Sequence, residues 1–219
     1  MIPRRHILRS VPAAWVISAA TGCRPSKATT PSDEETGAND TSTADGDTGD
    51  GDTAVGETGM AETCVATEDD IEGPFYRANA PERDDLVAAG DSGTLLRLSG
   101  RVLAADGCSP IDGAVVDVWH ADPAGAYDNT SADWRYRGRV TTSADGGWQV
   151  RTFEPGRYLN GAQYRPAHVH VKVWVEGVER LTTQLYFPDD PYNDADPWYT
   201  PALEITRTGD GHATFDLVV

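Results

Sequence analysis

Positive charge is what this chain has least of. Lysine and arginine together number 18 against 35 acidic residues, a formal net charge of −17. A field of that sign repels nucleic acid and anionic membrane surfaces as principal partners. Long apolar runs are also missing. The stretch Val11 to Ala20 is too short to cross a membrane as a mature helix, which needs ~20 such residues. No convincing amphipathic helical period appears anywhere, which sets helical architectures aside. Cysteine is limited to Cys23, Cys64 and Cys108.

What is present divides into three parts. Residues 1–23 read as a targeting segment, with Arg4-Arg5-His6-Ile7-Leu8-Arg9 ahead of the apolar stretch. The pattern is similar to a twin-arginine export signal, with Pro3 before the pair and Ile7 where Phe is usual. Ala20-Thr21-Gly22-Cys23 is similar to the lipobox at which bacterial lipoproteins are cleaved and acylated; the other reading is a plain secretory signal with an incidental cysteine. The expectation is an exported chain, lipid-anchored through Cys23 on the extracytoplasmic side of a bacterial membrane, or secreted. Residues 24–61 form a linker in which positions 28–61 hold nine Asp or Glu and no Lys or Arg. Such a segment cannot bury enough apolar surface to offset the entropy of ordering it, and reads as an extended tether. Its Asp-x-Asp-Gly spacing is similar to a calcium loop but lacks the closing Glu and the helical flanks. Residues 62–219 are the domain proper, with 13 basic and 26 acidic residues, which favours a small substrate over an anionic polymer.

Within that domain, short β-branched and apolar runs alternate with Gly and Pro turns. Strands are expected at Leu95 to Leu103, Ile111 to His120, Tyr136 to Thr142, Trp148 to Phe153, 165 to 176, Leu181 to Phe187, Ala202 to Arg207 and His212 to Val218. A hairpin is expected at Asp145-Gly146-Gly147, and another at Glu176-Gly177. The pattern predicts an all-β fold, an antiparallel, immunoglobulin-like β-sandwich. With Cys23 assigned to the lipobox, Cys64 and Cys108 remain either as a disulfide, which an exported compartment favours, or as two free thiols.

The chemistry centres on Arg165-Pro166-Ala167-His168-Val169-His170-Val171-Lys172-Val173-Trp174-Val175. Residues i and i+2 of a strand share a face, so His168 and His170 point the same way and can share one metal ion. Two half-buried histidines bonded to backbone would look the same at this stage. Pro166 cannot donate to a ladder and belongs at the strand entrance, beside Arg165.

Four further blocks, taken with this run, bring in a resemblance. Glu72-Gly73-Pro74-Phe75-Tyr76, Trp119-His120-Ala121-Asp122 with Gly125-x-Tyr127, Pro155-Gly156-x-Tyr158, the Arg-Pro-Ala-His-Val-His run and Leu181-Thr182-Thr183-Gln184 occur in the order and approximate spacing of the intradiol ring-cleavage dioxygenases. The chain resembles the short, β-sandwich members of that family over about residues 64 to 190, and departs from it at Leu159-Asn160, where Pro is often found. The resemblance implies a non-haem Fe(III) bound by Tyr127, Tyr158, His168 and His170. It also implies cleavage of a small aromatic diol by O2 to a cis,cis-muconate-type diacid. Hard phenolate donors suit a trivalent ion, which in turn can deprotonate them. Arg165 would then face the negative charge that builds on the ring, Tyr158 would take a substrate proton, and Gln184 would orient substrate or a ligand hydrogen bond. Tyr76, Tyr136 and Tyr164 are the rival phenols, and His120 reads as structural. Substrate recognition is expected from Ile71 to Tyr76 and Asp189 to Tyr199. Two other classes stay open: a β-sandwich binding module with an idle site, and a zinc hydrolase using both histidines with a carboxylate such as Asp122.

Overall fold

The structure, a computed structural model, describes residues 64–219. The targeting segment, the linker and Cys23 lie outside the described residues. The strands are β1 (Leu95–Leu103), β2 (Val115–Trp119), β3 (Arg137–Thr141), β4 (Gly147–Phe153), β5 (Tyr158–Asn160), β6 (Gln163–Arg165), β7 (His168–Val175), β8 (Val178–Tyr186), β9 (Thr206–Gly209), β10 (His212–Thr214) and β11 (Leu217–Val218). One sheet has the order β3-β2-β7-β8; in the other, β1 joins β4 on one side and β10 and β11 on the other, with β9 outside β10. A separate ribbon pairs β5 with β6.

Side-chain alternation explains the sandwich. Leu96, Leu98 and Val102 of β1, Val150 of β4, Val116 and Val118 of β2, and Val169, Val171 and Val173 of β7 are all buried in one core between the two sheets. Each such side chain contributes roughly 1.5–3 kcal/mol when removed from water. The expected sandwich is therefore present, with one addition: β1 pairs in parallel with β10 and β11.

Several boundaries differ from the sequence expectation. The strand expected from Ile111 starts only at Val115, after a turn whose Gly113 has φ +71°. The turn at Asp145-Gly146-Gly147 does not close a hairpin. It carries the chain from β3 in one sheet to β4 in the other, and Val102 N donates to Gly146 O (2.9 Å) where the turn meets β1. The histidine strand begins at His168, since Pro166 interrupts the ladder and leaves Arg165 on the ribbon strand β6. Residues Pro201–Leu203 are a 3₁₀ turn ahead of β9. The hairpin at Glu176-Gly177 is present, both residues lying at positive φ as a tight two-residue turn requires.

Cys64 and Cys108 form a disulfide with Cα atoms 5.2 Å apart, stapling the entry segment to the turn after β1. Its partners are separated by 44 positions, so loop-closure entropy assigns it about 4 kcal/mol. Cys108→Ser should lower the melting temperature of the metal-free chain by roughly 8–15 °C, and scanning calorimetry with and without reductant checks this.

The outer face of the β3-β2-β7-β8 sheet positions the chemistry. Opposite to the core valines, β7 projects His168, His170 and Lys172, all buried. In register with them are Trp119 and Gln184 on either side of His170, Tyr186 beside His168, and Asp117 beside Lys172. The entry segment lies against this sheet: Asp70 N donates to Thr182 O (2.8 Å) and Thr183 Oγ1 to Glu68 O (2.8 Å).

Candidate metal centre

Two loops bring the tyrosines to this face. After β2, Asp122 closes a turn by accepting from Ala124 N and Ala126 N, each at 2.9 Å, and Tyr127 follows. After β4, Pro155-Gly156 leads to Tyr158 at the start of β5. The loops touch backbone to backbone: Gly156 N donates to Asp122 O at 2.9 Å. A Cβ on Gly125 would lie 2.2 Å from Arg157 O, and one on Gly156 would lie 2.5 Å from Gly125 N. Glycine two residues before each tyrosine is thus a packing requirement.

The four predicted donors converge. Ring centroids are 4.8 Å apart for His168 and His170, 5.6 Å for Tyr127 and Tyr158, 5.8 Å for Tyr158 and His168, and 6.1 Å for Tyr127 and His170. His168 Nδ1 donates to Pro166 O (2.7 Å), which fixes the tautomer and leaves Nε2 to accept from the Tyr127 hydroxyl at 3.3 Å. Burial, reinforced by the Arg165 charge, pushes His168 down to about 3; burial and His168 hold His170 well below its ordinary range. Both imidazoles are therefore neutral at physiological pH, as metal ligation requires. Burial pushes the Tyr127 phenol above its ordinary value, so its anion needs a strong local cation. A hard, highly charged ion fits two neutral imidazoles and two phenols. Among the described residues no group of three or more His, Cys, Asp or Glu could hold a metal, so the tyrosines are needed to complete the set.

The other named residues separate cleanly. Arg165 is buried, with Nε donating to Asp196 Oδ2 (2.7 Å) and Nη2 to Asp196 Oδ1 (3.3 Å). It is also the cross-strand neighbour of Tyr158 in the ribbon. Gln184 Nε2 donates to Ile71 O at 2.9 Å, while Gln184 Oε1 and His170 Nδ1, on directly opposed residues, are buried without partners. His120 is structural: Nδ1 donates to Ala121 O (2.7 Å), and Nε2 accepts from Thr152 Oγ1 (2.8 Å). Of the rival phenols, Tyr164 is exposed and packs on Tyr192, Tyr76 donates to Asp117 Oδ2 (3.0 Å) and Tyr136 donates to Asp91. Asp122, the carboxylate of the zinc reading, is committed to its turn.

Sequence reasoning quoted Phe75 without a role. Its ring stacks on Tyr127 at 4.3 Å and meets Tyr158 edge-on at 5.6 Å, while a Cβ on the nearby Gly73 would come 3.3 Å from His170 Cε1. The Ile71 to Tyr76 segment therefore covers the centre. The support of Arg165 by Asp196, Tyr186 and Asp70 was not foreseen, because nothing in the sequence ties positions so far apart; Trp119, quoted only within its block, stacks on His170 at 4.8 Å and 5°.

Asp117 offers a separate test. Burial raises its carboxyl to about 6 against the opposing pull of the Tyr76 hydrogen bond and Arg139. A carboxyl raised in the native state binds its proton more tightly there than in the unfolded chain. Stability is therefore lost as pH rises from about 4 to 6 and the loss levels off above, at up to about 3 kcal/mol. Asp117→Asn should melt like the parent at pH 4 and several degrees higher at pH 7.5, as thermal melts across that range would show.

Comparison with known proteins bears on the same residues. Residues 71–204 match the protein family described as Dioxygenase. A chlorocatechol 1,2-dioxygenase of Cupriavidus pinatubonensis is 39% identical over 137 residues, covering 53% of this chain and 53% of the relative. A hydroxyquinol 1,2-dioxygenase of a Rhizobium species is 34% identical over 151 residues, covering 60% of this chain and 51% of the relative. The chain thus spans about half the length of these curated relatives. Among solved structures, the dioxygenase domain of a dioxygenase and carbohydrate-binding fusion from Streptomyces sp. SirexAA-E superimposes with a TM-score of 0.63 at 40% identity, covering 71% of this chain and 98% of that one. Catechol 1,2-dioxygenase from Pseudomonas arvilla C-1 gives a TM-score of 0.61 at 30% identity, covering 69% of this chain and 61% of that one. With its sandwich, its histidine strand and its two tyrosine loops, the chain belongs to the intradiol ring-cleavage dioxygenase family.

Proposed function

We propose that residues 62–219 form a ferric, non-haem dioxygenase domain. It cleaves a catechol-type ring between its two hydroxyls with O2, giving a cis,cis-muconate-type diacid. The observation that carries this reading is the convergence of Tyr127, Tyr158, His168 and His170, with the Tyr127 hydroxyl 3.3 Å from His168 Nε2. When bound, ferric iron supplies Lewis acidity toward the ring oxygens and an electron acceptor that opens the ring to O2. The chain's own residues do the rest. Phe75, stacked on Tyr127, presents an aromatic wall suited to a flat ring and keeps water from the tyrosines. Tyr158 accepts a proton from the entering diol at its Oη, and Arg165, its cross-strand neighbour, steadies the negative charge left behind.

The test is made on purified chain reconstituted with ferric iron. A red to brown colour from tyrosinate charge transfer, oxygen uptake with catechol, hydroxyquinol or protocatechuate, and a diacid carrying label from 18O2 are expected. A yellow semialdehyde, or no oxygen uptake with any of the three, overturns the proposal. The same reading places the domain outside the cytoplasm, supported by Arg4-Arg5, the Ala20 to Cys23 segment and the acidic linker. Mass spectrometry of the native N-terminus should find an acylated Cys23; an intact Met1 on a cytoplasmic protein would remove this part alone.

A further inference from the structure

Across the outer face of the β3-β2-β7-β8 sheet runs one cross-strand row: Arg137, Trp119, His170 and Gln184. Each of the four has a buried polar side-chain atom without a hydrogen-bond partner, Arg137 contributing Nη1. Arg137 is 1% exposed and makes no ion pair among the described residues. A buried guanidinium opposed only by the Asp128 and Asp117 charges beyond ion-pair distance is costly, so its retention asks for a compensating role.

Its remaining bonds say where it acts. Arg137 Nε donates to Asp128 O (2.8 Å) and Nη2 to Asn129 Oδ1 (3.3 Å), the two residues that directly follow Tyr127. The loop beyond is tied down independently: Arg77 donates to Asp128 O (3.4 Å) and Ser131 O (3.2 Å), and the Asp128 carboxylate accepts from Ser131 N (2.9 Å) and Arg135 N (2.8 Å). The approach to Arg137 is itself strained. Trp134 and Tyr136 sit at φ +52° and +55°, a region that costs a bulky L-residue roughly 1–2 kcal/mol each. Arg83 holds the carbonyls of Trp134 and Arg137, the latter at 3.0 Å. On its other side Arg137 is the register partner of Trp119, whose ring is stacked on His170.

We infer that Arg137 is a positioning residue for the metal centre, holding the Tyr127 loop against the sheet so that the Tyr127 oxygen stands beside the His168 and His170 rings. It touches neither substrate nor metal. Its guanidinium grips the segment after Tyr127 at two points, the Asp128 carbonyl and the Asn129 side chain, from a rigid strand. Lysine could supply the charge but not the two-point grip.

This inference rests on the ferric reading above, and the experiment separates the two. Full-length chain, Arg137→Lys and Arg137→Met are melted without metal to establish folding. Each is then titrated with ferric iron while the visible tyrosinate band is recorded. Both variants should bind iron at least ~10-fold more weakly, the scale of losing an outer support of a metal ligand, and should show a shifted, weaker band per iron. Should Arg137→Met not fold, Arg137→Lys carries the test alone. A parental chain that shows no band refutes the ferric centre itself. A parental band that folded Arg137→Lys reproduces in position, intensity and affinity refutes the role of Arg137 and leaves the centre standing.

Discussion

Alanine at His168 or at His170 should reduce ferric iron in the purified chain to background, lower affinity at least ~100-fold, and abolish measurable oxygen uptake. Removing even an outer partner of a metal ligand costs about 10–100-fold in affinity, and a donor itself sets a higher floor. The two variants should differ in the metal-free state. His168 is held by its bond to Pro166 O, whereas His170 forms one side of the Trp119 stack and has no partner at Nδ1. His170→Ala therefore loses ring packing in the middle of the row and should melt lower than His168→Ala. Tyr127→Phe is the informative contrast. The ring that stacks on Phe75 at 4.3 Å is kept and only the oxygen is removed, so the metal-free chain should melt within ~2 °C of the parent while the visible band is lost or displaced. The stabilisation that iron gives the parent, about 4 kcal/mol at a thousand times Kd, should fall to about 1.4 kcal/mol or less in both histidine variants. Calorimetry with and without a ferric chelator reads this directly. Full iron occupancy in His168→Ala would show that the donor set is wrong.

The sandwich was legible because short β-branched and apolar runs alternate with Gly and Pro turns, and in the histidine strand Val169, Val171 and Val173 fill the core. Alternation along that strand put His168 and His170 on one face. What alternation does not reveal is which sheet a strand joins. The turn after β3 carries Asp-Gly-Gly, the local chemistry of a hairpin, yet β4 pairs with β1 because Trp148 and Val150 complete the core from the opposite sheet. Pairing of that kind is decided by non-local burial. The two tyrosines became candidate donors through a resemblance, since each taken singly reads as a core aromatic. The roles of Arg137, Asp196, Tyr186 and Trp119 stayed hidden for a common reason. Those roles are made by register and by contacts between distant segments, and Arg137 in particular sits in Tyr-Arg-Gly-Arg, which read only as a strand entrance.

Arg165 and Asp196 should show the next largest effect, and separating its two origins takes a double variant. Their side chains are 4% and 1% exposed, and the guanidinium also donates to Tyr186 Oη (3.2 Å), which donates in turn to Asp70 Oδ2 (2.7 Å), while the Trp198 ring lies 4.7 Å from it. Removing one member of such a pair strands the other charge at a cost of about 3–5 kcal/mol. Asp196→Leu and Arg165→Leu should therefore each lower the melting temperature by roughly 10 °C. The double variant, with no stranded charge, should recover much of that loss. Turnover should not follow stability. In the proposed reaction Arg165, its charge balanced by Asp196, acts on the ring through directed N–H groups, interactions that strengthen as negative charge develops. Arg165→Leu should lower kcat by about 10²–10³-fold with little change in KM, the signature of an interaction made mainly in the transition state. The Arg165→Leu/Asp196→Leu chain should remain as slow as Arg165→Leu despite its recovered stability. If activity returns along with the melting temperature, Arg165 serves only to fill and balance its pocket.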